Sequence, residues 1–345
     1  MKKIALLALT CVMSVVMFAK TPVVIPEGLE TETYGLTASI LMNGETKTSD
    51  FYSQLEVGFA GDDIYIQGFS TDTPDFWVKG TKNAEGKYVV PANQYMGTWD
   101  VGGIGWFLYD YFLTAVDDQN QMIDAVFTVD VQNKTLVNNQ TLVVNGDEND
   151  LYPYYTLTDG AFHFIPEVVA MPANPSVVDF VTTGDYPWVA FNIPTVGTNG
   201  EELLMKRLSY QIWVEKEGEL SALTLTKNLY YYLTEDMSVI PYSFSDMTDI
   251  LRGGEKVYLF QGKELKTWNN IGVKCIYTGG GVTNETPIVW EDGTTTGIRE
   301  IEKMGGVENE NWYTLDGRRL SPVNSHLSTF KKGLYIVNGR KVVVK

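Results

Sequence analysis

Residues 54–69, QLEVGFAGDDIYIQGF, contain the pattern that decides the fold. Leu55, Val57 and Phe59 alternate with polar or small residues, and this period of two is typical of a strand with one buried face. The dipeptide Gly61-Asp62 then supplies turn residues before a second apolar run. The stretch therefore predicts two antiparallel strands joined by a tight turn.

The same pattern recurs along the chain as far as residue 165. Short β-prone runs are separated by turn-forming Asn, Asp, Glu and Gly residues at hairpin spacing. One apolar segment, GWFLYDYFLTAV at 105–116, is long enough to be either a helix or a long strand. Many short strands leave no room for βαβ crossovers, so we expect residues 22–168 to form an antiparallel β-meander sandwich or barrel. The other runs are DFWVKGT, KYVVP, MIDAVFTVDV, TLVVN and AFHFI.

Three prolines in PEVVAMPANP, residues 166–175, predict a short stiff linker. A second β module is expected at 172–292, where Tyr210, Ile212 and Val214 share one face of a predicted strand. The opening and closing segments, PANPSVVDF and IGVKCIYTGGGVTNETPIVW, resemble a fibronectin type III-like sandwich. The resemblance implies a second sandwich with an elaborated middle, and the two modules together resemble uncharacterised surface proteins of gut and oral Bacteroidetes.

Cys275 is the single cysteine after the first nineteen residues, so an intrachain disulfide is excluded there. Strand alternation places its thiol on the same face as Val273 and Tyr277. We therefore expect a small buried hydrophobic residue and not a nucleophile.

The N-terminus indicates export. Residues 1–19 contain Lys2-Lys3, an apolar run and a small final residue, which is the layout of a signal peptide cleaved after Ala19. The apolar run continues past Cys11, which disfavours a lipid-anchored cysteine. Later stretches fall short of the ~20 apolar residues that span a bilayer, so we expect no transmembrane segment.

The C-terminus gives the matching signal. Residues 293–311 are polar and contain glycine, which is typical of a linker. In residues 312–345, WYTLDGRRL and KKGLYIVNGRKVVVK each contain a turn dipeptide. This order resembles the C-terminal sorting domain of type IX secretion cargo, which implies a small β module, the export machinery as partner, and a secreted or cell-surface location. The residues that carry the resemblance are Asp316, Gly317, Gly333, Tyr335, Gly339, Lys341 and Lys345.

The charge of the chain is strongly acidic, with a formal net charge of −17. Residues 311–345 hold seven Lys and Arg but one acid, and without them and Lys2-Lys3 the body has 17 basic and 42 acidic residues, a balance of −25. A field of this sign excludes nucleic acid as a partner, because phosphate binding needs positive charge.

Groups that carry catalysis are scarce. The two histidines are His163, which alternation places opposite Phe162 and Phe164 as a solvent-facing strand residue, and His326 in the tail. We therefore expect no enzyme. A glycosidase stays open as an alternative, because that chemistry needs only two suitably spaced carboxylates.

Acidic loops predict solvated turns, and we expect no cofactor. Calcium is the alternative, since carboxylates are its preferred ligands. Neither acidic group follows a recognised calcium loop. The groups are Asp147, Glu148 and Asp150 in one loop, and Asp62, Asp63, Asp72 and Asp75 elsewhere.

Aromatic residues beside loops are the best candidates for a binding site. Trp99 and Trp106 flank the glycine-rich residues 100–105, and such rings can stack on a sugar. In Tyr230-Tyr231-Tyr232 neighbouring side chains of an extended chain point oppositely, so at least one ring is expected to be exposed. The alternative for the two tryptophans is a structural cap on the core.

Together these features predict a non-catalytic surface or secreted binding protein that acts in adhesion or glycan capture. Two alternatives remain at this point. One is the secreted carbohydrate-active enzyme with a carboxylate pair, and the other is a structural component of a surface layer or fibre.

Overall fold

The computed structural model describes residues 20–42, 45–70, 73–100, 105, 107–230, 233–245, 249–262, 264–296, 312–314, 319–320, 333–337 and 340–344. The described residues form antiparallel strands and two short 3₁₀ turns, Met205–Arg207 and Glu264–Thr267. The predicted all-β fold is thereby confirmed. Within these residues, no helix has the length and apolar character needed to cross a membrane. The chain divides into two compact units, Met1–Thr296 and Gly297–Lys345.

One twelve-stranded antiparallel sheet encloses the first core of the larger unit. Its main path runs β10-β9-β5-β4-β3-β2-β1-β12-β11-β7-β6, and β8 pairs with β7. The strands are β1 (Thr31–Met42), β2 (Glu45–Ala60), β3 (Asp63–Gln67), β4 (Trp77–Lys82), β5 (Tyr88–Val90), β6 (Gln94–Asp100), β7 (Leu108–Val116), β8 (Met122–Ile123), β9 (Ala125–Asp130), β10 (Thr135–Val137), β11 (Thr141–Asn145) and β12 (Pro153–Ile165).

The hairpin predicted from residues 54–69 is confirmed. Strands β2 and β3 pair antiparallel with Val57 opposite Ile66, and Gly61 takes a positive φ of 62° in the turn. Leu55, Val57 and Ile66 are almost fully buried, since their shared period places them on the face that packs on the core. The ambiguous segment 105–116 contains strand β7, whose pairing with both β6 and β11 stabilises the extended form.

Two further sheets enclose the second core. One has the order β13-β14-β19-β18; the other runs β16-β15-β20-β22-β23, with β17 beside β15 and β21 beside β20. Non-consecutive neighbours such as β14 and β19 make this a Greek-key sandwich. The strands are β13 (Ser176–Val181), β14 (Trp188–Asn192), β15 (Leu208–Lys216), β16 (Glu219–Ala222), β17 (Ile240–Pro241), β18 (Ile250–Gly253), β19 (Lys256–Leu259), β20 (Asn270–Gly279), β21 (Val282–Glu285), β22 (Ile288–Trp290) and β23 (Thr295–Thr296).

Strands β15 and β20 form the centre of the second core. Tyr210, Ile212 and Val214 share the buried face of β15, as their spacing predicts. On β20, Cys275 is fully buried opposite Tyr210, and burial raises the pKa of its thiol far above the ordinary value. The expectation of a small buried hydrophobic residue is confirmed.

A polar seam joins the two cores within the larger unit. We define the seam as the contact between outward side chains of β2 and β12 and residues 202–206. Gln54 Nε2 donates to the Leu203 carbonyl at 2.8 Å, and Gln54 Oε1 accepts from the Met205 N–H at 2.7 Å. Lys206 Nζ and Glu56 Oε2 form an ion pair at 2.6 Å. The seam thus bridges positions about 150 residues apart in sequence.

The described part of the smaller unit is a four-stranded antiparallel sheet with the order β25-β24-β26-β27. Gly333, Tyr335 and Lys341, three residues of the predicted sorting signal, lie in its last two strands, where Tyr335 is opposite Val342. The other predicted signal residues, Asp316, Gly317, Gly339 and Lys345, lie outside the described residues, as does the 1–19 segment. The strands are β24 (Trp312–Thr314), β25 (Arg319–Leu320), β26 (Gly333–Val337) and β27 (Arg340–Val344).

Candidate functional site

A row of aromatic rings extends from the β6–β7 hairpin, past the end of β11, to strand β12. Trp99 of β6 is opposite Tyr109 of β7, and alternation places Tyr111 on the same face of the sheet as Tyr109. Strand β12 brings Tyr154 to this face, and Tyr152 just precedes that strand. We call these five residues the aromatic row.

Neighbouring rings of the aromatic row are in contact along its whole length. The ring centroids are 6.3 Å apart for Tyr109 and Trp99, and 6.4 Å apart for Trp99 and Tyr111. Tyr111 lies 4.8 Å from Tyr154, which is 6.1 Å from Tyr152. All four pairs are tilted or edge-on, the arrangements that ring quadrupoles favour.

Exposure differs along the aromatic row. The central Tyr111 is buried, whereas Tyr109 is 43% exposed and Tyr152 is 64% exposed. Trp99 is half-buried and packs partly against the first core. The row therefore has a fixed centre that belongs to the first core, and two ends, Tyr109 and Tyr152, that face solvent.

Close packing beneath the row holds it in place. Phe76 lies 6.0 Å from Tyr111 between centroids, and its ring occupies the position that a Cβ on Gly97 would take, 2.6 Å from the nearest ring atom. Tyr154 covers Gly146 in the same way, at 2.5 Å. Glycine is needed at both positions because a larger residue would displace an aromatic ring.

The opposite face of the same hairpin carries a charge network. Lys20 forms an ion pair with Asp110, and Thr98 Oγ1 donates to the same carboxylate. Partial burial disfavours the ionised carboxylate, but the hydrogen bonds from Lys20 and Thr98 outweigh it and hold the pKa of Asp110 below its ordinary value. Asp110 is therefore ionised at neutral pH and fixes the hairpin from behind the rings.

The acidic loop before β12 forms internal hydrogen bonds. Asp147 Oδ1 accepts from the backbone N–H groups of Asn149 and Asp150, and these bonds lower the pKa of Asp147. Asn145 Nδ2 donates to the carbonyls of Asp147 and Asp150. In the part of the chain that the structure describes, no three His, Cys, Asp or Glu side chains converge as a metal site would require.

The other predicted acidic group has similar partners. Asp63 receives hydrogen bonds from Lys79 and Thr81, which lower its pKa. Asp72 lies outside the described residues. Asp62 and Asp75 are exposed turn residues, and Asp63 is an ion-pair residue.

The aromatic residues predicted from sequence have different outcomes. Trp99 belongs to the aromatic row, whereas Trp106, Tyr231 and Tyr232 lie outside the described residues. The prediction that Tyr230 offers a ring to a ligand is corrected: Tyr230 is 4% exposed in the second core, and its hydroxyl donates to Asp249. Burial of the ring with a satisfied hydroxyl is the more stable arrangement.

Tyr109, Tyr111, Tyr152 and Tyr154 were missed by sequence reasoning. The alternation of Tyr109 and Tyr111 within one strand was a usable signal. The contact of Tyr111 with Tyr154 was not, because these residues are far apart in sequence and meet only through strand pairing.

His163 lies at the seam. It is exposed, as alternation predicts, and its Nε2 is 2.6 Å from Glu202 Oε2, while the other oxygen of Glu202 accepts from the Tyr52 hydroxyl. The ring covers Gly35, where a Cβ would lie 2.3 Å from it. These contacts assign His163 to the joint between the cores.

A polar recess of about 240 Å³ opens between residues 138–141 and 158–160. Its amide groups are used within the chain: Gln140 Oε1 accepts from the Val126 N–H at 2.6 Å, and Gln140 Nε2 donates to the Asp124 carbonyl at 2.9 Å. The recess is therefore a turn region whose amide groups form hydrogen bonds within the chain.

No protein-family model, curated protein or solved structure matches this chain.

Proposed function

We propose that this chain is an exported, non-catalytic surface or secreted binding protein that captures a glycan through the aromatic row. The connected set of five rings, exposed at Tyr109 and Tyr152, carries the proposal. Aromatic rings bind the apolar face of a pyranose, and a row that is already rigid loses little conformational entropy on binding.

The ends of the chain support the exported setting. Residues 1–19 have the layout of a signal peptide, and residues 312–345 resemble a type IX secretion sorting domain. The partner during export is then the type IX machinery, and the destination is the cell surface or the medium. The Greek-key order of the second core is compatible with a fibronectin type III-like module, a fold common in extracellular proteins.

The charges around the aromatic row restrict the ligand. Asp100 and Asp110 lie on the same hairpin as Trp99, and Glu148 lies in the loop that leads to Tyr152. Asp110 and Glu148 are paired with Lys20, so it is the net charge of −17 that disfavours carboxylated or sulfated sugars. The glycan is accordingly neutral or carries amino groups.

A glycan and host-matrix array tests the proposal, with the purified full chain beside a Tyr109→Ala/Tyr152→Ala double variant. Both residues are well exposed, so their removal leaves the cores intact. Trp213→Ala, which removes a half-buried tryptophan from the outward face of β15, is the matched control. We expect neutral glycans to bind the parent and the control at least about tenfold more tightly than the double variant.

Other outcomes of the same array distinguish the alternatives. Shortening of the bound glycans would indicate a carbohydrate-active enzyme. Binding to matrix proteins and to no glycan would indicate protein adhesion. Concentration-dependent assembly in sedimentation, without any ligand, would favour the structural component of a layer or fibre.

A further inference from the structure

The four-stranded sheet of the second core has a second aromatic surface on its outward face. Val189, Phe191 and Val257 point inward and are fully buried in the core. Since side chains alternate along a strand, Trp188 of β14 and Tyr258 of β19 point outward. We call the outward surface around these two rings the sheet platform.

The two rings of the sheet platform flank a small residue. Their centroids are 6.1 Å apart with an interplanar angle of 46°. Ala190, between Trp188 and Tyr258 in the sheet, is only 1% exposed although it lies on the outward face, because its larger neighbours cover it. Tyr186, two residues before Trp188, is 86% exposed.

A β-bulge turns a carboxylate toward these rings. On β13, Val177 pairs with Phe191, but Asp179 pairs with Ala190, so Val178 is an extra residue. Without the bulge, alternation would point Asp179 into the core with Val177. Bulges next to binding sites commonly re-aim a side chain in this way. The bulge therefore places the Asp179 carboxylate on the same face of the sheet as the two rings.

The charges on this face are balanced. Lys256, two residues before Tyr258 on β19, shares its outward face, so one base and the acid Asp179 flank the rings. Such a pair can accept from and donate to hydroxyl groups without favouring a charged ligand. The net charge of −17 further disfavours acidic chains.

We propose that the sheet platform is a second glycan-binding site, which takes a neutral sugar chain with one pyranose stacked on Trp188 and Tyr258. This inference rests on the proposed glycan capture and adds a second, separate contact surface to it. Two sites on one chain strengthen binding to a polymer beyond the affinity of either site.

Isothermal titration calorimetry of the purified full chain tests the inference with cellohexaose, xylohexaose, mannohexaose, laminarihexaose, chitohexaose and the acidic hexagalacturonate. For a neutral hexasaccharide that binds the parent, we expect the stoichiometry to fall by one site in Trp188→Ala. Asp179→Asn keeps the side-chain shape, and we expect it to weaken that site about fivefold. The control Trp213→Ala is expected to bind as the parent does.

Parallel titration of Tyr109→Ala/Tyr152→Ala separates this inference from the proposed function. Loss of one site in that variant, with Trp188→Ala and Asp179→Asn unchanged, overturns the sheet platform and leaves the aromatic row. Loss of one site in Trp188→Ala and weaker binding in Asp179→Asn, with Tyr109→Ala/Tyr152→Ala unchanged, supports the platform and overturns the row. The platform is overturned if the parent binds none of the neutral hexasaccharides. It is also overturned if the parent prefers hexagalacturonate.

Discussion

Three glutamine side chains form the backbone hydrogen bonds that a neighbouring strand would otherwise form. Gln54, Gln94 and Gln140 each use Oε1 to accept from one backbone N–H and Nε2 to donate to a nearby carbonyl. A carboxamide carries the same donor and acceptor as a peptide group, so it satisfies backbone groups that the strands leave open. Their sequence positions give no sign of this role.

At Asp110, stability is expected to depend on pH. The pKa of this carboxyl is lowered in the folded protein, so its contribution to stability is present above the unfolded pKa and is lost as the pH falls through the lower folded pKa. Asp110→Asn is therefore expected to lower the melting temperature by about 1 to 3 °C at neutral pH. Differential scanning calorimetry measures the difference in melting temperature between the parent and the variant, which should narrow in acid. An equal difference in acid would contradict the stabilising role of the ionised Asp110.

Cys275 is expected to be unreactive in the native protein. Its thiol is fully buried and its pKa is raised by that burial, so neither access nor the thiolate is available. In protein lacking residues 1–19, iodoacetamide should leave the thiol unmodified until guanidinium chloride unfolds the chain. Mass spectrometry gives the labelled fraction, and rapid native labelling would show that the second core opens.

Among the elements, strand β6 is tied to β4 by a side chain. Strand β5 pairs with β4 only at Thr81 and Lys82, which leaves the backbone of Lys79 for Gln94, whose Oε1 and Nε2 bond to it at 2.6 and 2.8 Å. This tie supports the hairpin that carries Trp99.

Gln94→Ala should loosen that hairpin. It removes both bonds to Lys79, and each backbone group left unsatisfied costs about 1 to 3 kcal/mol of unfolding free energy. The expected readout is faster amide exchange in β6 and weaker glycan binding at the aromatic row. Gln132→Ala, an exposed turn residue, is the control; equal effects of the two changes would rule out the tie.

At the scale of the whole molecule, the seam makes the two cores one compact unit. Gln54 supplies two hydrogen bonds to residues 203–205, and Glu202 links Tyr52 with His163. Partial burial, followed by the bond to Glu202, raises the pKa of the Tyr52 hydroxyl well above its ordinary value. The hydroxyl therefore remains protonated and donates throughout the physiological range.

Gln54→Ala is expected to uncouple the cores. The carbonyl of the buried Leu203 and the Met205 N–H lose their partner. Each loss costs about 1 to 3 kcal/mol of unfolding free energy. A single calorimetric transition in the parent should separate into two, because each core keeps its own apolar contacts. Gln119→Ala, an exposed turn residue, should retain one transition. One unchanged transition in Gln54→Ala would mean that the seam does not couple the cores.

Sequence alone determined the all-β class, the β2–β3 hairpin, the buried face of β15 and the burial of Cys275. Each follows from alternation with a period of two, which is a local property of the chain and survives any arrangement of the strands. Trp99 was predicted from another local signal, an aromatic ring beside a glycine-rich loop, and it lies in the aromatic row. Local pattern could not decide between helix and strand at 105–116, because an apolar run fits both.

Only the tertiary structure decided what the local faces meet. The contact of Tyr111 with Tyr154, the outward turn of Asp179 and the burial of Tyr230 depend on strand order, register and a bulge. These are set by pairings between distant segments, and a shift of one residue would reverse the face of every side chain in a strand. Alternation therefore determined which residues could share a face, and long-range pairing decided which faces became core, seam and aromatic row.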